Sequence, residues 1–273
     1  MNIQNSLHEA EKELHVLKNP RLEAEVLLCA VLHCDRVFLK SHPKKKVSWW
    51  RFLLYKKFVQ KRKRKIPIAY IIGYKNWGGM RVLVNKQTLI PRDETEVLCS
   101  HIEGHKRLFL PRSLLDIGTG SGCIAMYLGH KYPKANVIAL DNSVLALRVA
   151  RKNLRRFSGR VCVISSDLLE KISPHSMFDI IVANLPYVPQ GADVTSEIGK
   201  EPYKAIFGGK DGLDVVRALA TQLQEKEILF RELWLEFLPS QKEAIQRIFS
   251  SYKVVFFPDC GGSIFFALVQ RQA

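Results

Sequence analysis

Leu114-Leu-Asp-Ile-Gly-Thr-Gly-Ser-Gly122 is a strand that feeds a glycine-rich turn, with a helix expected to begin near Cys123. Gly118, Gly120 and Gly122 let the backbone come close to a ligand, with Thr119 and Ser121 between them. The spacing is GxGxG rather than the GxGxxG of dinucleotide binders, although a nicotinamide cofactor remains compatible with it. Outward from this turn, apolar strands are expected near 112–117, 135–140, 160–165, 178–183, 229–236, 252–258 and 263–269, with helices between the first six. That alternation predicts an α/β fold with a parallel, doubly wound sheet over residues 91–273. The last two strands are joined through Asp259-Cys-Gly-Gly262, which is too short for a crossover. The expectation is therefore a seven-stranded, mainly parallel sheet whose last strand runs antiparallel.

Upstream the pattern changes. Residues 5–33 carry helical spacing, with Pro20 at a helix start and Leu22, Val26, Leu27 and Cys29–Ala30 able to line one face. A second helical stretch, roughly 47–64, sets Trp49, Trp50, Phe52, Leu53 and Phe58 among lysines and arginines, and its tryptophans read as core. Residues 1–66 thus form a small helical domain, and 67–90, with Gly78–Gly79 at its turn, a hairpin connector. Apolar residues make up 47% of the 273, enough for a sizeable core. The net charge of +16 comes mostly from residues 36–65, which hold thirteen Lys or Arg and no Asp or Glu. That run is either a solvated face or an attraction for an acidic partner. Six scattered cysteines read as reduced thiols, and no secretory signal or membrane span is visible, so a cytoplasmic protein is expected. His101 and His105 could share a helical face, but no Cys or carboxylate partner for a metal is evident.

Three further positions fall at carboxyl ends of strands, where open parallel sheets bind ligands. Asp141 ends Val137-Ile-Ala-Leu140 and could accept both hydroxyls of a ribose, or merely cap a helix. Ser166–Asp167 follows the third strand and could hold an adenine edge with Leu168 packed on the ring, and Asp167 too could be only a cap. Phe178-Asp-Ile-Ile-Val-Ala183 is a buried strand that runs into Asn184-Leu-Pro-Tyr187, the most specific signal in the chain. The Asn184 side-chain oxygen and the Leu185 carbonyl can accept both hydrogens of one NH2 group. Leu185 precedes Pro186 and is pushed towards an extended conformation, which helps aim its carbonyl. Tyr187 can stack on a flat acceptor, while a plain strand-ending turn is the ordinary alternative. Two acceptors on an amide's hydrogens return electron density to a poor nucleophile and aim its lone pair at a sulfonium methyl. Each bond is worth only ~1 kcal/mol net. Alignment can supply up to ~7–11 kcal/mol.

These motifs together resemble the peptide-release-factor glutamine methyltransferases (the HemK/PrmC family) over nearly the whole chain. Arg21-Leu-Glu-Ala-Glu-Val-Leu-Leu28 is similar to the family's helical-domain signature, Pro67-Ile-Ala-Tyr-Ile-Ile-Gly73 to its hairpin entry, and Leu89-Ile-Pro-Arg-Asp-Glu-Thr-Glu96 to its bridging segment. Glu201–Pro202 and Gly208-Gly-Lys-Asp-Gly-Leu213 resemble the loop that follows the family's catalytic motif. The resemblance implies a Rossmann-like class I methyltransferase fold, S-adenosylmethionine as methyl donor and S-adenosylhomocysteine as product. It implies N5-methylation of the glutamine in the Gly-Gly-Gln motif of class 1 release factors, hence an effect on translation termination, with the N-terminal helices helping to dock that protein. Carried over, Asn184, Leu185, Pro186 and Tyr187 form the acceptor site, and Gly118 to Gly122, Asp141 and Leu168 contact the cofactor. Direct nucleic-acid binding is not required, and nothing demands more than a monomer.

The chain departs from the family at Leu185 and Asp93, where proline is usual, after Glu236, where glycine is usual, and at Phe265–Phe266, where an arginine is usual. Asn-Leu-Pro-Tyr also resembles ribosomal RNA adenine dimethyltransferases, so nucleic-acid adenine N6-methylation is the rival reading, although no second domain is left to read bases. A non-catalytic binding module is the third, with the intact glycine turn and Asn184 against it.

Overall fold

The computed structural model describes residues 1–157 and 159–271. The chain divides into two compact units, Met1–Tyr74 with Thr195–Lys200, and Lys75–Val194 with Glu201–Ala273.

The first unit is built from α1 (Ile3–Glu13), α2 (Pro20–Leu32), α3 (Arg36–Ser41), α4 (Trp49–Lys63) and α5 (Ile68–Ile72). The Asn2 side chain caps α1, Pro20 opens α2, and Asp35 caps α3 by accepting from Phe38 N at 2.7 Å. Ile3, Leu7, Ala24, Leu27, Leu28, Leu39, Tyr55, Val59 and Ile71 form its core. Two expected faces are corrected here. On α2 the buried residues are Ala24, Glu25, Leu27, Leu28 and Val31, while Leu22 is exposed. On α4, Tyr55, Val59 and Arg62 are buried, Phe52 and Phe58 are partly so, and Trp49, Trp50 and Leu53 are exposed. At about 100° per residue, the face centred on Tyr55 and Arg62 leaves both tryptophans more than a right angle away. Three of the thirteen cations in the basic run are paired inside this unit: Arg36 with Glu25, Lys56 with Glu9 and Glu13, and buried Arg62 with Glu23 and Glu197.

The second unit, from Lys75, begins within the first strand of a hairpin of β1 (Tyr74–Trp77) and β2 (Met80–Leu83), turning at Gly78–Gly79. Asn153 clips it in place, accepting from Leu83 N at 2.8 Å and donating to Leu83 O at 2.9 Å. There follow α6 (Asp93–Gly104), β3 (Ser113–Ile117), α7 (Cys123–Lys131), β4 (Asn136–Asp141), α8 (Val144–Leu154), β5 (Val161–Ser165), β6 (Met177–Ala183), α9 (Asp214–Glu225), β7 (Leu229–Glu236), α10 (Lys242–Ile248), β8 (Tyr252–Pro258) and β9 (Ile264–Arg271). The seven-stranded sheet has the order β5-β4-β3-β6-β7-β9-β8, with β9 antiparallel to both neighbours and the other pairings parallel. Alternate strand residues serve opposite faces. Leu115, Ile117, Ile181 and Leu233 pack with Val216, Leu219 and Leu223 of α9 and Ile245 of α10. Helices α6, α7 and α8 contact β3, β4, β5 and β7.

The helix expected between the third and fourth strands is absent. Residues 166–176 are turns, because Leu168 sits in the left-handed region (φ 47°). Ser166 Oγ instead closes the loop, donating to Leu168 O at 2.9 Å and accepting from Lys171 N at 3.1 Å.

Candidate active site

Strand register assembles the site. Ile117 is paired with Leu140 on one side and Ala183 on the other, Asp141 pairs with Ser165, and Ala183 pairs with Leu235. The residues at these strand ends therefore lie in a row along the carboxyl edge: Ser165, Asp141, Gly118, Asn184 and Glu236, with Ser166 one step beyond Ser165. The strand order reverses between β3 and β6, which is where such sheets bind ligands.

On the β3 side, Gly118, Gly120 and Gly122 all have positive φ (72°, 54° and 81°). A Cβ on Gly118 would press on the Leu185 side chain at 3.1 Å, and one on Gly122 on Leu154 and Ala150 at 3.1–3.3 Å. Thr119 and Ser121 are buried beneath the turn. Asp141 accepts from Gly120 N at 2.8 Å and from Ser143 N at 2.7 Å, while Ser143 itself caps α8. Asp141 is thus no helix cap, and burial raises its carboxyl pKa. Asp116 lies fully buried, taking hydrogens from Thr119 Oγ1 and Ala125 N on Oδ2 only, with Oδ1 unpartnered. Burial pushes its carboxyl up to about 7. A backbone cradle, a ring of carboxylate and one orphan oxygen suit a ligand carrying hydroxyls and an amine. Leu168 is buried nearby in the same core cluster as Leu185, while Asp167 is exposed and caps no helix.

On the β6 side, Asn184 Nδ2 donates to Thr95 Oγ1 and to Glu236 Oε2, each at 3.0 Å. Thr95 Oγ1 donates to the same Glu236 oxygen at 3.0 Å, and Tyr187 OH to Glu236 Oε1 at 2.9 Å. The amide hydrogens of Asn184 thus face inward and its Oδ1 outward. Burial raises the Tyr187 hydroxyl pKa. Leu185 is buried, and its side chain packs against the backbone of Gly118.

The loop 206–213 braces this motif from behind. Val188 N donates to Ile206 O at 3.0 Å and Gly208 N to Val188 O at 2.9 Å. Gln241 Nε2 donates to Tyr187 O at 2.8 Å and Asp211 O at 2.9 Å. Glu201 accepts from Ile90 N at 2.9 Å and Arg92 at 2.6 Å, tying the segment before α6 to the stretch that leads into this loop. Asp93 is the first residue of α6, where a carboxylate suits the helix dipole, and it pairs with Lys75 at 2.6 Å.

Thr95 and Glu236 carry a part of the site that sequence reading did not assign. A carboxylate closing the apolar run Leu233-Trp-Leu235 at the end of the Leu229–Glu236 strand was the available signal. His101 bonds the Pro258 carbonyl at 2.8 Å and His105 lies 3.8 Å from Glu232. No group of three or more potential metal ligands occurs among the described residues.

Residues 5–73 match the family model of the PrmC N-terminal domain, and 93–205 that of the methyltransferase small domain. A release factor glutamine methyltransferase of Koribacter versatilis is 37% identical, covering 82% of each chain. That of Buchnera aphidicola subsp. Schizaphis graminum is 35% identical over 96% of this chain and 97% of its own. Among solved structures, the hMettl16 catalytic domain in complex with a MAT2A 3'UTR hairpin aligns with a TM-score of 0.52 over 81% of each chain, at 19% identity. At that identity the likeness speaks for the fold alone.

Proposed function

This chain belongs to the release factor glutamine methyltransferase family, and from that premise we propose that it methylates N5 of the Gly-Gly-Gln glutamine of class 1 release factors. The observation that carries the reading is the orientation of Asn184. Its NH2 is fully engaged by Thr95 and Glu236, which leaves Oδ1 and the Leu185 carbonyl to accept the two hydrogens of a substrate amide. Tyr187, held by Glu236, and Pro186 flank the planar acceptor. These residues orient the amide and aim its lone pair, so alignment rather than proton transfer is their contribution.

S-adenosylmethionine fits the other half of the site, and when bound it supplies an electrophilic sulfonium methyl. Asp141 would accept the ribose hydroxyls, and Gly118, Thr119, Gly120, Ser121 and Gly122 would line the donor's path across the strand ends. Asp167 and Leu168 would flank the adenine, and the unpartnered Asp116 oxygen is available to a donor's amine. Asn184 would border both ligands, since Gly118 lies 3.7 Å, measured from an added Cβ, from its carbonyl. The helices of residues 1–66 would help dock the release factor, in a monomeric protein acting in the cytoplasm. No helix among the described residues is long and apolar enough to cross a membrane.

The test is a competition assay with methyl-labelled S-adenosylmethionine, a release factor and ribosomal RNA. The label is expected on the release factor, placed by mass spectrometry on the Gly-Gly-Gln glutamine. Label on RNA alone, or on another residue, would overturn the proposal.

A further inference from the structure

We propose that Glu236, as a carboxylate, fixes which way round the Asn184 carboxamide faces, and that a proton on Glu236 turns the carboxamide over and closes the acceptor site. The inference rests on the reading above, in which Asn184 Oδ1 accepts from the substrate NH2.

A closed set of hydrogen bonds carries it. One Asn184 Nδ2 hydrogen goes to Thr95 Oγ1 and the other to Glu236 Oε2, while the Thr95 hydroxyl hydrogen goes to that same Glu236 oxygen. An ionised carboxyl can only accept. Were the carboxamide reversed, Oδ1 would face a carboxylate oxygen with no hydrogen between them, an uncompensated repulsion in a buried place. Protonation removes that bar. The new O–H can donate to Oδ1, and the Asn184 NH2 then points into the acceptor site, donor against donor, where it cannot hold an amide's hydrogens.

The surroundings bring this switch into the neutral range. Glu236 is buried, and the residue directly opposite it on β9 is Phe266, also buried, so no cation stands across the pair. The charged and titratable groups that face it are Tyr187 on the motif, Arg92 ahead of α6, and Glu94 and Cys99 on α6. Arg92 is already engaged by Glu201. Burial pushes the Glu236 carboxyl up to about 7, against hydrogen bonds from Tyr187 and Thr95 that pull it down. Glu236 is a positioning residue, acting through Asn184.

The experiment measures kcat for methyl transfer to a release factor between pH 6 and 9 at saturating S-adenosylmethionine, for the wild type, Glu236→Gln and Thr95→Val. Saturation sets aside Asp116, whose own titration would be read in donor affinity. The wild-type rate should fall about tenfold per pH unit on the acid side of pH 7. Glu236→Gln, which cannot titrate, should be flat across the range, with donor affinity within about twofold of wild type. Thr95→Val removes a hydrogen bond to the carboxylate and should move the acid limb to higher pH, which keeps the test decisive if Glu236→Gln fails to fold. A wild-type profile flat from pH 6 to 8, an acid limb that survives in Glu236→Gln, or one unmoved in Thr95→Val would overturn the inference. A wild type that does not methylate the release factor at pH 8 would count against the functional reading instead.

Discussion

In the proposed acceptor site Asn184 acts through the direction of its carboxamide, whose NH2 is held by residues 52 and 89 positions away in the chain, Glu236 and Thr95. Asn184→Ala should lower kcat by about 10²–10³-fold while donor affinity, read by calorimetry, stays close to wild type. Asn184→Asp should lose as much although its shape is the same, because a carboxylate oxygen would replace Nδ2 against Glu236. Near-normal rates in either variant would refute the acceptor-site account. Asn184, Leu185 and Tyr187 could be proposed from sequence because they fall within four consecutive residues after an apolar strand. Thr95 and Glu236 were not, because only the pairing of Ala183 with Leu235 and the packing of α6 bring them to Asn184. Phe266, one of the departures, stands across from Glu236, so no cation faces that carboxyl from β9.

Among the elements, the loop 208–213 has the tightest fit. A Cβ on Gly208 would lie 2.1 Å from Pro186 O, and one on Gly212 2.1 Å from Tyr187 O. Both collisions are with the backbone of the acceptor motif, which cannot yield without moving the carbonyls it presents. Gly208→Ala and Gly212→Ala should each destabilise by about 1–3 kcal/mol. Turnover should fall further than stability, by about 10²-fold, because misplacement of an ångström is costly to catalysis. Gly199→Ala, where nothing lies within 4 Å of the added carbon, should leave thermal melting and rate unchanged. Equal effects at Gly199 and Gly208 would show that the clamp is not the cause. Element types were mostly readable from period and punctuation, but faces and links were less so. The α4 face was missed because its tryptophans are apolar yet lie off the Tyr55–Arg62 line. The turns at 166–176 were missed because left-handed Leu168 looks like any helix-forming leucine in sequence.

For the whole molecule, the alternation of strands and helices was enough to expect a mainly parallel sheet with its last strand reversed. It did not give the strand order, which depends on long-range pairing and decides that β3 and β6 are neighbours. Nor did it show that residues 195–200, eleven positions after Asn184, join the helical unit, where Glu197 meets the buried Arg62. We propose that the Asn184 oxygen and the Leu185 carbonyl hold an amide NH2 beside the donor turn. The most direct measurement is a crystal structure of the protein with S-adenosylhomocysteine and a release factor. The account predicts Asn184 Oδ1 and Leu185 O each at about 2.9 Å from the glutamine nitrogen. An acceptor glutamine bound elsewhere, or an Asn184 whose Nδ2 faces it, would contradict the account.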